Sequence, residues 1–421
     1  MNTIEPSAAW RSDDGSGNHG VLAGVRVLDL SRVLAGPMAT QMMADQGASV
    51  LKVEAPSGDE TRGWGPPFID NDEQGRGAKN VSGTSSAYYS GMNHSKDNIC
   101  LDLQTDAGRN VLGHLLAAAD IVVENFKRGT MARWGFDYET VLAQRNPALI
   151  YTRITGYGVD GPMGGQPGYD AVLQSFGGLM SINGYPDRNP LRVGVPIVDH
   201  VAANMAFSGT LLAYIDRLRS GTGQLVDITL LDAVVSILHP HSGNWIVGGD
   251  VPQRSGDNHP SIVPYHVFRA ADGDVFVSAT NNRQFVSLLG VLDLAHLADD
   301  ERFVDNRQRN AHRSEIVELL AARIIGFTRD DLVARLDAVG VASSPVNTVD
   351  EALTHAQVRH RGLFLETDAY RGIGVPLTLG RSPSTPPRPA AARGEHTAEV
   401  LTRMGYTSDD IDNLRTDGVL G

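Results

Sequence analysis

At 421 residues the chain has room for two domains, and 41% hydrophobic residues give it the apolar content of an ordinary globular core. Its 36 Lys and Arg against 49 Asp and Glu leave a net charge of −13, which argues against nucleic acid or an anionic membrane as partner. A single cysteine excludes an internal disulfide framework and fits a reducing cytoplasm.

Residues 1–20 are polar with no apolar run, so they read as a disordered lead rather than a secretion signal. A βαβ unit follows: a strand over 25–30, a tight connection over 31–37, a helix over 38–46 closed by Gly47, and a strand over 48–54. In a chain of this size such a unit means a parallel sheet with ligands at the strand ends. The connection offers one glycine, a proline and an arginine in place of Gly-x-Gly-x-x-Gly, so the pyrophosphate approach of NAD enzymes is missing. A Gly/Ser-rich interruption over 70–86 reads as a mobile surface loop. The alternation resumes with strands over 98–103, 120–124 and 148–154, a helix over 105–118, and helical patterns over 129–134 and 138–145. The apolar run 111–123 is broken by His114 and Asp120 and cannot span a bilayer.

Beyond Thr155 the texture turns to glycine and proline as far as Asp170, the kind of segment from which an α/β site is built. A helix over 200–219 shows an apolar stripe of Val201, Met205, Ser208, Leu211, Leu212, Ile215 and Leu218, and Gly221 supplies its stop. A strand over 224–229 and a helix over 231–238 come next. Segments 263–268 and 274–279 flank an Ala-Asp-Gly turn as an antiparallel hairpin, accompanied by helices over 283–289, 312–325 and 329–339. This reads as a smaller α+β domain. The Pro/Arg-rich stretch 381–393 reads as a strap.

Several chemistries are missing. No Gly-x-Ser-x-Gly elbow, Walker A loop or His-Glu-x-x-His occurs, which argues against a serine hydrolase, an ATP-driven ligase and a zincin. His239 and His241 have no carboxylate or cysteine beside them, so no metal site is expected there. Cys100 falls within a strand and reads as an inert buried thiol. Carboxylate chemistry remains. Asp199, just ahead of the long helix, reads either as its N-cap or as a carboxylate kept ionised to meet a substrate. Asp170 reads as a turn residue or a supporting acid or base.

From Gly24 onward the chain resembles the class III CoA-transferases, the family that also holds the α-methylacyl-CoA racemases. The resembling stretches are residues 32–37 (RVLAGP), 58–68 (GDETRGWGPPF), 123–126 (VENF), 155–158 (TGYG), 168–172 (GYDAV) and 261–265 (SIVPY). The likeness is strongest to the succinyl-CoA:glutarate type. It implies an α/β fold: a Rossmann-like parallel-sheet domain over about residues 20–230, a small α+β domain over 231–345, and a C-terminal segment, 346–421, returning to the large domain. Members form an interlocked-ring homodimer. Their substrates are an acyl-CoA and a free carboxylic acid, with no permanently bound cofactor, metal, nucleic acid or membrane implied.

The resemblance also carries roles. The family's aspartate nucleophile aligns with Asp199, so that residue is expected both to cap and to catalyse. Arg32, Val33, Leu34, Ala35, Asn125 and Phe126 match CoA-contacting positions, Lys96 falls in the family's basic segment, here Asn93-His94-Ser95-Lys96, and Arg133 matches an arginine of formyl-CoA transferases. Leu34 replaces the glutamine those enzymes place beside the acyl group, which weighs against formyl/oxalyl specificity. Their tetraglycine loop becomes Gly256-Asp257-Asn258-His259, leaving Gly256, Asn258 and His259 as candidate lid residues beside Tyr169 and Asp170. Lys52, Arg62, Lys127 and Arg128 are further candidates for CoA phosphates, and Arg32 and Arg192 for a distal carboxylate. A racemase would need a base on each face of the α-carbon, and tyrosine at 169, where racemases carry histidine, is a poor one with a pKa of about 10.

Overall fold

A run such as Val27-Leu28 forms a strand without polar alternation because both faces of a central parallel strand are covered by helices. The computed structural model, which describes residues 4–10, 20–69, 85–259, 261–367 and 370–421, places six such strands in one sheet. They are β1 (Arg26–Asp29), β2 (Ser49–Glu54), β3 (Asp97–Cys100), β4 (Ile121–Glu124), β5 (Ile150–Thr155) and β6 (Leu225–Thr229). All pair in parallel, in the order β3-β2-β1-β4-β5-β6. This is the Rossmann order. The strand sequence reverses between β1 and β4, where diverging connections leave a crevice beyond the carboxyl ends.

The helices that matter here are α1 (Ala35–Asp45), α2 (Ala87–Asn93), α3 (Asp106–Ala118), α4 (Asp170–Phe176), α5 (Ile197–Ser220) and α6 (Leu230–Ser236). Thr105 caps α3 by accepting the Gly108 N–H at 3.0 Å, and α3 buries Val111, Leu112, Leu115 and Leu116 in a core shared with Leu28, Leu51, Ile99 and Val122.

Three expectations need correction. Residues 4–10 of the supposed disordered lead are ordered: Pro6–Ala9 form a 3₁₀ turn, Trp10 is buried, and its indole N–H reaches the Val27 carbonyl at 3.1 Å. The remainder of that lead, 1–3 and 11–19, lies outside the described residues. Likewise Ser85–Ser86, read as part of a mobile loop, is buried and pairs antiparallel with Phe68–Ile69, while 70–84 lies outside the described residues. The third concerns α5. Its buried stripe is Ala202, Ala203, Ala206, Thr210 and Ala213, whereas Leu212, Ile215 and Leu218 are 68%, 47% and 69% exposed. Small side chains let α5 lie close to the sheet, where Thr210 and Thr152 of β5 share a 2.6 Å hydroxyl hydrogen bond.

The chain divides into two compact units: Met1–Gly177 with Gly194–His239 and Ala356–Gly421, and Gly178–Val193 with Pro240–His355. Residues 178–193 thus fall in the second unit rather than the first. That unit carries an antiparallel sheet of β7 (Tyr265–Arg269), β8 (Asp274–Ser278) and β9 (Ala342–Pro345), with β8 in the centre. Its core gathers Phe268, Val275, Phe285, Leu320 and Leu336. Among the described residues no helix is long and apolar enough to cross a membrane.

Candidate active site

The first unit has a cleft enclosing about 930 Å³, part of it open to solvent, at the reversal between β1 and β4. Its walls are Arg32–Ala35 beyond β1, Asn125–Arg128 beyond β4, the end of β5 with the glycine-rich turn behind it, and Asp199. Gly156 and Gly168 make that turn possible. A Cβ on Gly156 would lie 2.6 Å from the Gly168 nitrogen, and one on Gly168 would lie 2.8 Å from the Gly156 Cα. The two backbones touch, which folds the 157–167 excursion onto itself and delivers Tyr169 and Asp170 to the strand end.

Asp170 begins α4 and is buried. One carboxylate oxygen takes the Gln174 amide at 2.6 Å, and the other takes the N–H groups of Val198 at 2.8 Å and Asp199 at 3.3 Å. Those two donors belong to the first turn of α5, whose N-cap is Pro196, a residue with no side-chain oxygen. Asp170 therefore supplies from a distance the capping that the local sequence lacks. This corrects the expectation that Asp199 caps: it sits inside the first turn and its carboxylate makes no cap bond.

The same arrangement sets the acidity of Asp199. Burial, then the Asp170 charge, raise its pKa from 3.8 to about 7. Tyr88 of α2 faces this pair; burial, then Asp199 and Asp170, push its phenol up to about 12, so it stays a hydrogen-bond donor. Its ring meets Trp64 edge-on at 5.3 Å. No sequence motif singled out Tyr88.

The expected cations separate into two sets. Arg32, Lys127 and Arg128 line the cleft, are exposed, and form no ion pair among the described residues. Lys96, expected on a CoA phosphate, is buried instead. Its ammonium donates to Asp29 Oδ2 at 2.9 Å, the Pro37 carbonyl at 2.8 Å and Asn93 Oδ1 at 2.9 Å, which takes all three protons. Burial lowers its pKa to about 8 against the pull of Asp29. Lys52 is likewise committed, to the Ser31 carbonyl at 2.9 Å and Asp59 at 3.2 Å, and Arg62 makes two bonds to Glu54 at 2.8 and 2.9 Å. All three are held by buried carboxylates. The reason is that Asp29, Asp59 and Glu54 are buried and need counter-charges.

Of the other expected site residues, Val33, Leu34 and Ala35 line the cleft. Asn125 lines it too, but its amide is engaged with the main chain of Arg32, and Phe126 packs edge-on against Trp134 at 5.2 Å. Tyr169 lines the cleft and is 62% exposed. Arg133 is outside its lining; its guanidinium donates to Thr130 Oγ1 at 3.0 Å. Arg192, Gly256, Asn258 and His259 belong to the second unit. There Gly256 adopts φ 66° against the Tyr185 ring, Asn258 bonds Ser255, and His259 meets Tyr265 edge-on at 5.3 Å. Among the described residues no group of three or more His, Cys, Asp or Glu could hold a metal ion.

A strand-order reversal with a carboxylate beyond it suits many chemistries, and the chain's relatives narrow them. The profile of CoA-transferase family III matches residues 22–397. The chain belongs to CoA-transferase family III. It is 39% identical over 389 residues to the succinate–glutarate CoA-transferase of Agrobacterium fabrum, covering 91% of this chain and 95% of that protein. To the succinyl-CoA:glutarate CoA-transferase of Homo sapiens it is 34% identical over 406 residues, covering 95% and 90%. The crystal structure of a CAIB/BAIF family protein from Brucella suis matches with a TM-score of 0.84 at 36% identity, covering 92% of this chain and 100% of that one. As a CoA-transferase, the protein handles CoA thioesters and carboxylic acids.

Proposed function

We propose that this transferase moves CoA from succinyl-CoA to a free dicarboxylic acid such as glutarate, with Asp199 as the covalent nucleophile. The observation that carries the reading is the Asp199 carboxyl in the strand-end cleft, its pKa raised to about 7 by burial and by Asp170. A carboxylate so raised is a better nucleophile than an ordinary aspartate yet remains half ionised at neutral pH. The acid named for the Agrobacterium and human relatives supports the choice of acceptor.

In the first step an Asp199 oxygen attacks the thioester carbonyl, the C–S bond breaks, and CoA leaves as thiolate from a mixed anhydride. The thiolate attacks the Asp199 carbonyl carbon, releasing succinate and leaving an aspartyl-CoA thioester. The acceptor carboxylate then attacks that thioester and expels the thiolate, giving a second anhydride. Attack of the thiolate on the acceptor carbonyl forms the new acyl-CoA and regenerates the Asp199 carboxylate. No proton or electron is gained or lost overall, and no ATP is needed. Each addition passes through an oxyanion, for which one well-placed N–H donor contributes roughly 3 kcal/mol.

Lys127 and Arg128 at the cleft rim are assigned to CoA phosphates, and Arg32 to the distal carboxylate of the acid. The protein is expected to be an interlocked homodimer, a reading supported by the exposed Leu212, Ile215 and Leu218 stripe on α5. The test is CoA exchange from succinyl-CoA to a panel of mono- and dicarboxylic acids, with Asp199→Ala alongside. New acyl-CoA from the wild type alone supports the proposal; exchange by both enzymes, or by neither, refutes it.

A further inference from the structure

The β1–α1 connection is pinned by its main chain from both sides of the strand reversal. The Ser31 N–H donates to Asp29 Oδ1 at 3.0 Å, and the Ser31 carbonyl accepts from Lys52 at 2.9 Å. The Arg32 N–H donates to Asn125 Oδ1 at 2.9 Å, and the Arg32 carbonyl accepts from Asn125 Nδ2 at 2.7 Å. The Val33 N–H donates to Asp59 Oδ2 at 3.3 Å. Asp59 is itself fixed by Lys52 and by the Thr61 N–H and hydroxyl at 3.0 and 2.7 Å. Five consecutive main-chain polar groups therefore have partners, and Asp29, Lys52 and Asp59 are all buried.

What this clamp holds is Val33 at φ 70°, the left-handed region. A β-branched residue avoids that conformation and keeps it only where its surroundings over-determine it. The placement matters because Val33, Leu34 and Ala35 line the cleft that also holds Asp199, and α1 starts at Ala35. If Val33 relaxed, that wall of the cleft would move.

We propose that Asn125 and Asp59 are positioning residues which hold Val33 left-handed and so set the Val33–Ala35 wall against the substrate; Asn125 acts through its amide on Arg32, not by touching CoA. The inference rests on the reading of this cleft as the acyl-CoA site. It also separates two possibilities for Asn125, since a direct CoA contact would not depend on the backbone of Val33.

The decisive experiment is a double-mutant cycle on the full chain: Asn125→Ala, Val33→Gly and the pair, measured by CoA exchange and by calorimetric titration of CoA. Glycine takes φ 70° without steric cost, so it removes the need for the clamp. Asn125→Ala is expected to lower kcat/KM roughly tenfold in the Val33 enzyme and less than about threefold in the Val33→Gly background, whatever Val33→Gly costs by itself as a lining residue. Val33→Ala should not rescue, because alanine still meets the left-handed penalty. Asn125→Ser takes the place of Asn125→Ala if the latter does not fold. An Asn125→Ala loss as large in the Val33→Gly background as in the Val33 enzyme overturns the proposal and assigns Asn125 to the substrate. Should the wild type exchange CoA with no acid, the functional reading fails, and the CoA dissociation constants still carry the same rescue comparison.

Discussion

Replacing Asp170 by asparagine isolates the electrostatic part of the nucleophile's tuning. Burial and the Asp170 charge together raise Asp199 from 3.8 to about 7. Asparagine removes the charge but keeps an oxygen for the Val198 and Asp199 N–H groups, and the Gln174 amide can turn to accept from the new NH₂. The fold at the start of α5 is thus retained. A neighbouring like charge is worth roughly one pH unit or more in a half-buried site, so the Asp199 midpoint should fall to about 6. The sign follows: the ionised form is the nucleophile, and lowering its pKa populates it at lower pH. At pH 6 roughly a tenth of the wild-type carboxyl is ionised against about half in the variant, a gain of about fivefold in reactive enzyme. At pH 8 both are ionised, and the variant should equal the wild type or be slower because its carboxylate is less basic. The assay is kcat/KM for CoA exchange between pH 5 and 9. Both enzymes see the same substrates, so ionisation of the CoA phosphate cancels in their ratio. A ratio that does not rise as pH falls, or a variant midpoint above that of the wild type, would refute the reasoning.

Other outcomes follow from the same geometry. Lys96→Met should cost about 3–5 kcal/mol of stability by removing the salt-bridge partner of buried Asp29, measurable as a lower urea midpoint; a stable variant with weakened CoA binding would return Lys96 to the phosphate role. Lys127→Ala with Arg128→Ala should weaken CoA binding roughly tenfold at low salt and less at high salt, with no loss of thermal stability, as calorimetry and melting curves would report. Leu212→Glu with Leu218→Glu should convert a dimer to monomer or aggregate in light scattering, whereas an unchanged dimer would show that this stripe of α5 is not the interface.

The sheet was legible because its two central strands carry short apolar runs, Val27–Leu28 and Ile121–Val123, and the first βαβ unit was complete within thirty residues. The βαβ pattern points only to the strand ends; the stretches after β1 and β4 are marked by the family likeness, and they meet where the strand order reverses. Other features were hidden by the tertiary structure. A stripe of alanines is a weak sequence signal, so the sequence points instead to the large residues of α5, which the structure leaves exposed. The family likeness marks Lys96 as a phosphate ligand, and nothing local shows that Asp29, sixty-seven residues earlier, needs it. Asp199 looked like a cap because the cap is Asp170, supplied by another helix. Val33 carries no mark of its left-handed backbone, since sequence readers expect glycine there.

The central claim is that Asp199 becomes covalently acylated and then thioesterified. The enzyme would be incubated with succinyl-CoA without acceptor, quenched with hydroxylamine, digested, and its peptides weighed. A hydroxamate on the peptide carrying Asp199, absent without succinyl-CoA, is the result this account predicts. Full CoA exchange with that peptide unmodified would contradict it.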